Sequence, residues 1–174
     1  MRPLQREGKM IRKPNRLKHY DYSLPGYYFI TICTKKMKPI FGEVFNNVVE
    51  LSLVGKIVLD CLLKIHVVYD DVEVDEFVIM PNHIHLILII ENYQKTEDRS
   101  KMRVSKIIQQ FKTAITKQVK PKHSSQITLW QRYFYDRIIR NERELYNIRK
   151  YIIENPIKWE LEKDIENINY DLIL

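Results

Sequence analysis

Two short apolar runs, separated only by Pro81-Asn82, constrain the fold of this 174-residue chain more than any other feature. Val72 to Met80 alternates as a strand, and His83 to Ile90 reads as a second strand after the turn. A sheet is therefore expected at the centre of the molecule. Around it the hydrophobic period switches. Tyr27 to Thr34 is rich in aromatic and β-branched residues and predicts a strand after Pro25-Gly26. Ile40 to Val49 leaves room for further short strands. From Ser52 the spacing of Leu53, Ile57, Leu59, Leu62 and Ile65 predicts a helix ending near His66. Ser105 opens an amphipathic helix through Ile107, Ile108, Phe111, Ile115 and Val119. Arg132 to Ile139 alternates as a last strand. Asn141 and Glu144 form a capping-box pattern for a helix expected to finish near Asn155, before Pro156. Polar stretches, Glu91 to Lys101 and Pro121 to Thr128, read as loops.

That order predicts an α+β, ferredoxin-like (split βαβ) antiparallel sheet with helices on one face, plus an extra C-terminal helix. The other sheet face is expected to lie open. We divide the chain into a basic N-terminal arm (1–18), one domain (19–160) and a C-terminal tail (161–174).

Charge is segregated along the chain. Residues 1–18 carry +6, residues 101–140 carry +9, and a whole-chain charge of +7 leaves −8 elsewhere. Concentrated positive segments suit a polyanion, because each neutralised phosphate releases condensed counterions. No apolar run reaches the ~18–20 residues that span a bilayer. The charged N-terminus lacks the apolar core of a secretory signal. Cys33 and Cys61 lack metal-ligand spacing and read as reduced thiols in apolar surroundings. A cytoplasmic protein without a membrane partner is expected.

His83 and His85 fall on one face of their strand, with Cα atoms ~6.6 Å apart. Such a pair suits a divalent cation, or structural hydrogen bonding within an otherwise apolar run. Tyr151 and Asn155 lie one helical turn apart and point the same way. On its own Tyr151, one of 11 tyrosines, reads first as a core side chain, and Asn155 as a helix C-cap.

The chain resembles the HUH single-tyrosine (IS200-like) transposases, and within them the REP-associated tyrosine transposases. The resemblance runs through Leu17-Lys18-His19-Tyr20-Asp21-Tyr22, Tyr28 to Lys35, Phe41-Gly42-Glu43 and Val78 to His85. It continues through Leu129 to Asp136, Ile138 to Glu142, and Ile148 to Pro156, covering about residues 15–160. It implies that His83, His85 and Asn155 hold Mg²⁺ or Mn²⁺ and that Tyr151 is the nucleophile. The implied enzyme is a metal-dependent single-strand DNA endonuclease and transesterase. It would nick and rejoin single-stranded or hairpin DNA through a 5′-phosphotyrosine, with no small-molecule substrate. Arg12, Arg16, Lys18, Trp130, Arg132, Tyr133, Arg137 and Arg140 are the residues expected to contact DNA, with Tyr135 a further stacking candidate. The alternatives are a non-catalytic DNA or RNA hairpin-binding module and a small metallohydrolase using water. Relatives leave both monomer and homodimer open.

Overall fold

The computed structural model describes residues 24–92, 103–120 and 128–171, with side chains of the last stretch described to residue 162. The basic arm, with Arg12, Arg16 and Lys18, lies outside the described residues, as do most of both expected loops.

Strand β1 (Gly26–Cys33) is followed by a hairpin of β2 (Gly42–Phe45) and β3 (Val48–Leu51). Helices α1 (Leu53–Leu63) and α2 (Ile65–Val68) lead to β4 (Val72–Ile79) and β5 (His83–Ile90). Helix α3 (Arg103–Val119), strand β6 (Tyr135–Ile139) and helix α4 (Glu142–Asp171) complete the order. The main sheet runs β4-β5-β1-β6. Every pairing in it is antiparallel, as the split βαβ plan requires.

Period-two burial sorts the two sheet faces. Tyr28, Ile30, Ile32, Ile84, Leu86 and Leu88 point into the larger core against Val58, Leu62, Ile107 and Phe111 of α1 and α3. On the opposite face Ile87 and Ile139 meet Leu145, Ile148 and Ile152 of α4, flanked by Phe29 and Val78. The second face is thus covered by α4 where the sequence left it open. The apolar stripe of that helix needed a partner, and the sheet supplied it.

Helix α4 also runs through Pro156 to Asp171, although the sequence placed its end at Asn155. A helix-interior proline forfeits one backbone hydrogen bond and crowds the preceding turn. Tertiary contacts hold the helix together across that defect. Pro156 is buried and lines a groove with Leu51, Phe77 and Ile79. One turn further on, Glu160 accepts hydrogen bonds from Asn46 N (3.1 Å) and from Asn47 N at the tip of the β2–β3 hairpin. Asn46 and Asn47 are both left-handed (φ 50° and 61°), the backbone of a two-residue hairpin turn. The boundary drawn at residue 160 falls within this helix. At its start, Glu144 N donates to Asn141 Oδ1 (2.9 Å) and Arg140 N to Glu144 (3.0 Å), close to the expected capping box.

Two further limits moved. Helix α3 is already in place at Arg103, the first described residue of that stretch and two ahead of Ser105, and Arg103 is buried and paired with the buried Asp71. Strand β6 begins at Tyr135, and residues 129–131 instead bond to the end of β1 through Lys35 N to Leu129 O (2.7 Å) and Gln131 N to Cys33 O (3.0 Å). Cys33 and Cys61 are free thiols.

Candidate active site

Strand β5 and helix α4 bring together the residues that the sequence singled out. Register pairs His85 with Thr31 and His83 with Cys33, so both imidazoles stand on the face covered by α4. Tyr151 Oη lies 3.3 Å from His85 Nε2, across 66 residues of sequence. The two imidazole centroids are 4.5 Å apart, and the Tyr151 ring stands 5.2 Å from that of His85. Asn155 is buried and within hydrogen-bond reach of His83. It sits mid-helix, one turn after Tyr151, and not at a helix end.

Each imidazole is oriented from behind. His85 Nδ1 is 2.8 Å from Thr31 Oγ1, and His83 Nδ1 is 2.6 Å from Asn82 Oδ1. If Nδ1–H of His85 donates to Thr31, its Nε2 keeps a lone pair and accepts from the Tyr151 hydroxyl. Phe29 stacks on His85 with centroids 5.3 Å apart, and Trp159 stands 6.0 Å from His83. Burial pushes the His83 pKa down to about 4, with Asn155 resisting the fall. It pushes His85 to about 3, helped by the neighbouring His83. Both rings are therefore neutral at physiological pH, the state that offers a lone pair to a cation.

Among the described residues no three His, Cys, Asp or Glu side chains converge to hold a metal. The third donor available here is the Asn155 amide. Two neutral imidazoles with tethered Nδ1 atoms and one amide fit a hard-to-borderline divalent ion with open positions.

Tyr151 is 40% exposed, and its ring leans on Phe29 and His85. The Lys158 amine stands 5.4 Å from the Tyr151 ring centroid and pairs with Glu154 at 3.1 Å. Sequence reasoning passed over Lys158, although a spacing of seven puts it on the same helix face as Tyr151. It also passed over Thr31, Phe29 and Trp159, whose roles depend on register and packing. Asn82, directly before His83, was visible only as a turn residue.

The expected DNA contacts divide. Trp130 is buried in the larger core apart from an edge on the groove beside α3, and its indole N–H donates to Lys112 O (3.2 Å) and Thr116 Oγ1 (3.1 Å), so packing already takes up most of its surface. Tyr133 is exposed, with Arg132 over its ring at 5.4 Å, and Tyr135 is exposed on β6. Arg137 pairs with Glu144, and Arg140 is exposed. In register Tyr135 pairs with Thr31 and Arg137 with Phe29, the two residues that hold His85. Among the described residues no helix is long and apolar enough to cross a membrane.

Comparison with known proteins follows the same lines. An uncharacterized Haemophilus influenzae protein is 37% identical over 163 residues, 86% of this chain and 90% of that protein. A second Haemophilus influenzae protein, provisionally assigned as a REP-associated tyrosine transposase, is 28% identical over 85 residues. That match spans 46% of this chain and 47% of the relative. A solved REP-associated tyrosine transposase bound to a REP hairpin superposes with a TM-score of 0.58 at 18% identity. The superposition covers 82% of this chain and 73% of that one, a likeness of fold. Residues 26–155, which hold β1 through Asn155, match the sequence model described as Transposase IS200 like, and the chain belongs to that family.

Proposed function

We propose that this protein is a metal-dependent endonuclease and transesterase that nicks and rejoins single-stranded or hairpin DNA through Tyr151. The observation that carries this reading is the meeting of Tyr151 Oη with His85 Nε2 at 3.3 Å, beside His83 and Asn155. Membership of a transposase family supports it.

His83, His85 and Asn155 would hold Mg²⁺ or Mn²⁺, which when bound withdraws charge from the phosphodiester and favours attack by an oxygen nucleophile. The rest of the work falls to the chain itself. Thr31 and Asn82 hold the two imidazoles with their Nδ1 atoms turned away from the reacting side. Tyr151 presents its oxygen to phosphorus from a helix fixed on the sheet. A bond forms between Tyr151 Oη and phosphorus as the bond from phosphorus to O3′ breaks. The phenol gives up its proton and O3′ takes one up, leaving a 5′-phosphotyrosine and a free 3′-OH. One phosphoester replaces another, so rejoining runs the same exchange backward without ATP. Lys158, over the Tyr151 ring, stands where it can meet the negative charge of the incoming phosphate. Arg132, Tyr133, Arg137 and Arg140 supply phosphate and stacking contacts outside the reacting centre.

Incubation with end-labelled hairpin and single-stranded DNA in Mn²⁺ is expected to give a protein–DNA adduct that survives denaturant. EDTA and Tyr151→Phe should each abolish it. An adduct formed by Tyr151→Phe would remove Tyr151 as nucleophile. Hairpin binding without any adduct, insensitive to EDTA, would favour a non-catalytic binding module.

A further inference from the structure

Two turns of the described chain place non-glycine residues in left-handed backbone, and they do so with different side chains. Asn46 and Asn47 (φ 50° and 61°) turn the β2–β3 hairpin, where a short amide tolerates that conformation. The turn Lys35–Met37, directly after β1, uses Lys36 and Met37 instead (φ 57° and 54°). Neither side chain relieves the crowding of its own Cβ, and glycine or asparagine would reverse the chain with less strain. Strain of this kind persists only where the surroundings fix it, and it gathers at functional sites.

Here the surroundings are those of the candidate active site. Cys33, at the end of β1, pairs in register with His83. Thr34 is fully buried, and its N–H donates to Asn82 O (2.9 Å). Its hydroxyl lies 2.9 Å from the same Asn82 O and 2.8 Å from Lys38 O, closing the turn. Lys35 N donates to Leu129 O (2.7 Å), and Gln131 Nε2 reaches Met37 Sδ (3.4 Å). Asn82 is also the residue whose side chain orients His83. One residue therefore ties the strained turn and the imidazole to the same frame.

The turn carries charge of one sign. Lys35, Lys36 and Lys38 are exposed, and among the described residues none of them is in an ion pair. No Asp or Glu occurs from Tyr22 to Gly42. Three solvated lysines on a flexible loop would be unremarkable. Three held on a rigid, strained turn beside His83 repel one another until an anion sits among them.

We propose that the Thr34–Lys38 turn is a preformed clamp for a backbone phosphate flanking the scissile one on the unpaired strand, with Lys36 its central cation. The proposal rests on the transesterase reading for what lies at Tyr151, and its test reads binding alone. Tyr151→Phe protein, which is expected not to cleave, serves as the parent in Mn²⁺. Its affinity for a labelled unpaired DNA strand of roughly 16 nucleotides is measured across a salt series. Lys35→Gln/Lys36→Gln/Lys38→Gln should weaken binding on the order of tenfold at ~0.1 M salt and reduce the slope of log K against log salt by about 2. Bound strand should protect Lys36 from amine acetylation, read by mass spectrometry, several-fold more than Lys56 and Lys64 beyond the other sheet face. Lys36→Arg should bind as the parent does. Lys36→Gly should melt a few degrees higher yet bind less tightly, since the strain serves the side chain. Parent-like affinity and slope in the triple variant would overturn the proposal. Equal protection of Lys36, Lys56 and Lys64 would also overturn it, because the lysines would then act only as diffuse charge. So would parent-like binding by Lys36→Gly. A native chain that forms no adduct on this strand would remove the Tyr151 reading and leave the clamp to be judged on binding and protection.

Discussion

Burial keeps His83 and His85 neutral, and the same burial makes them a liability in acid. Their folded-state pKa values, about 4 and about 3, lie below the ordinary imidazole value. The unfolded chain therefore binds more protons as pH falls below ~6.5, and the folded state loses stability on that side. Unfolding by urea is expected to show full stability above pH 7 and a decline from about pH 6.5 toward pH 4. In His85→Gln this decline should be shallower; an equal decline would assign the loss to other groups. Thr31 acts one bond further out. Thr31→Val keeps the side-chain shape and removes the oxygen that orients His85 Nδ1. Mn²⁺ affinity, read by calorimetry, should drop roughly 10- to 100-fold with the melting temperature little changed. Affinity equal to the parent's would show that Thr31 does not set the ring.

Elements place these residues through a few contacts that a linear reading weighs poorly. Helix α4 is anchored by Arg149, whose guanidinium donates to both oxygens of Asp75 (2.8 and 2.6 Å) on β4, and by Glu160 on the β2–β3 turn. Arg149→Met should cost about 1 kcal/mol and speed amide exchange across residues 145–155. It should also slow adduct formation, since the Tyr151 helix loses a fixed bearing. Unchanged exchange would contradict the anchor. Gly55 in α1 gives a second test. A Cβ there would stand 2.0 Å from the Phe41 carbonyl oxygen. Helix propensity alone predicts that Gly55→Ala stabilises by about 1 kcal/mol. Close backbone packing predicts a lower melting temperature, and the sign decides between them.

Strand and helix positions were legible because period-two and period-3.6 patterns follow from which face is buried. His83–Ile90 coincides with its expected strand for that reason. The course of α4 past Pro156 was not legible, because the contacts that sustain it come from β3, β4 and a hairpin tip more than a hundred residues earlier.

For the whole molecule, folding redistributes a charge pattern that the sequence shows only as segments. Arg103 and Arg137, both counted in the basic stretch 101–140, are paired with Asp71 and Glu144. Lys117, Lys120 and Arg132 line one groove instead. Candidate site residues were readable from the spacing of His83 with His85 and of Tyr151 with Asn155, together with the family resemblance. Their proximity was not, since 66 residues separate Tyr151 from His85 and only the packing of α4 on the sheet brings them together. Trp130 shows the reverse limit: an aromatic among arginines reads as a base-stacking group, yet its indole completes the core. The most direct measurement of the central claim is peptide mass mapping of the denatured adduct formed with DNA and Mn²⁺. A nucleotide carried by Tyr151 through a phosphate on its phenolic oxygen is the predicted result. The same modification on any other residue, with Tyr151 unmodified, would contradict the account.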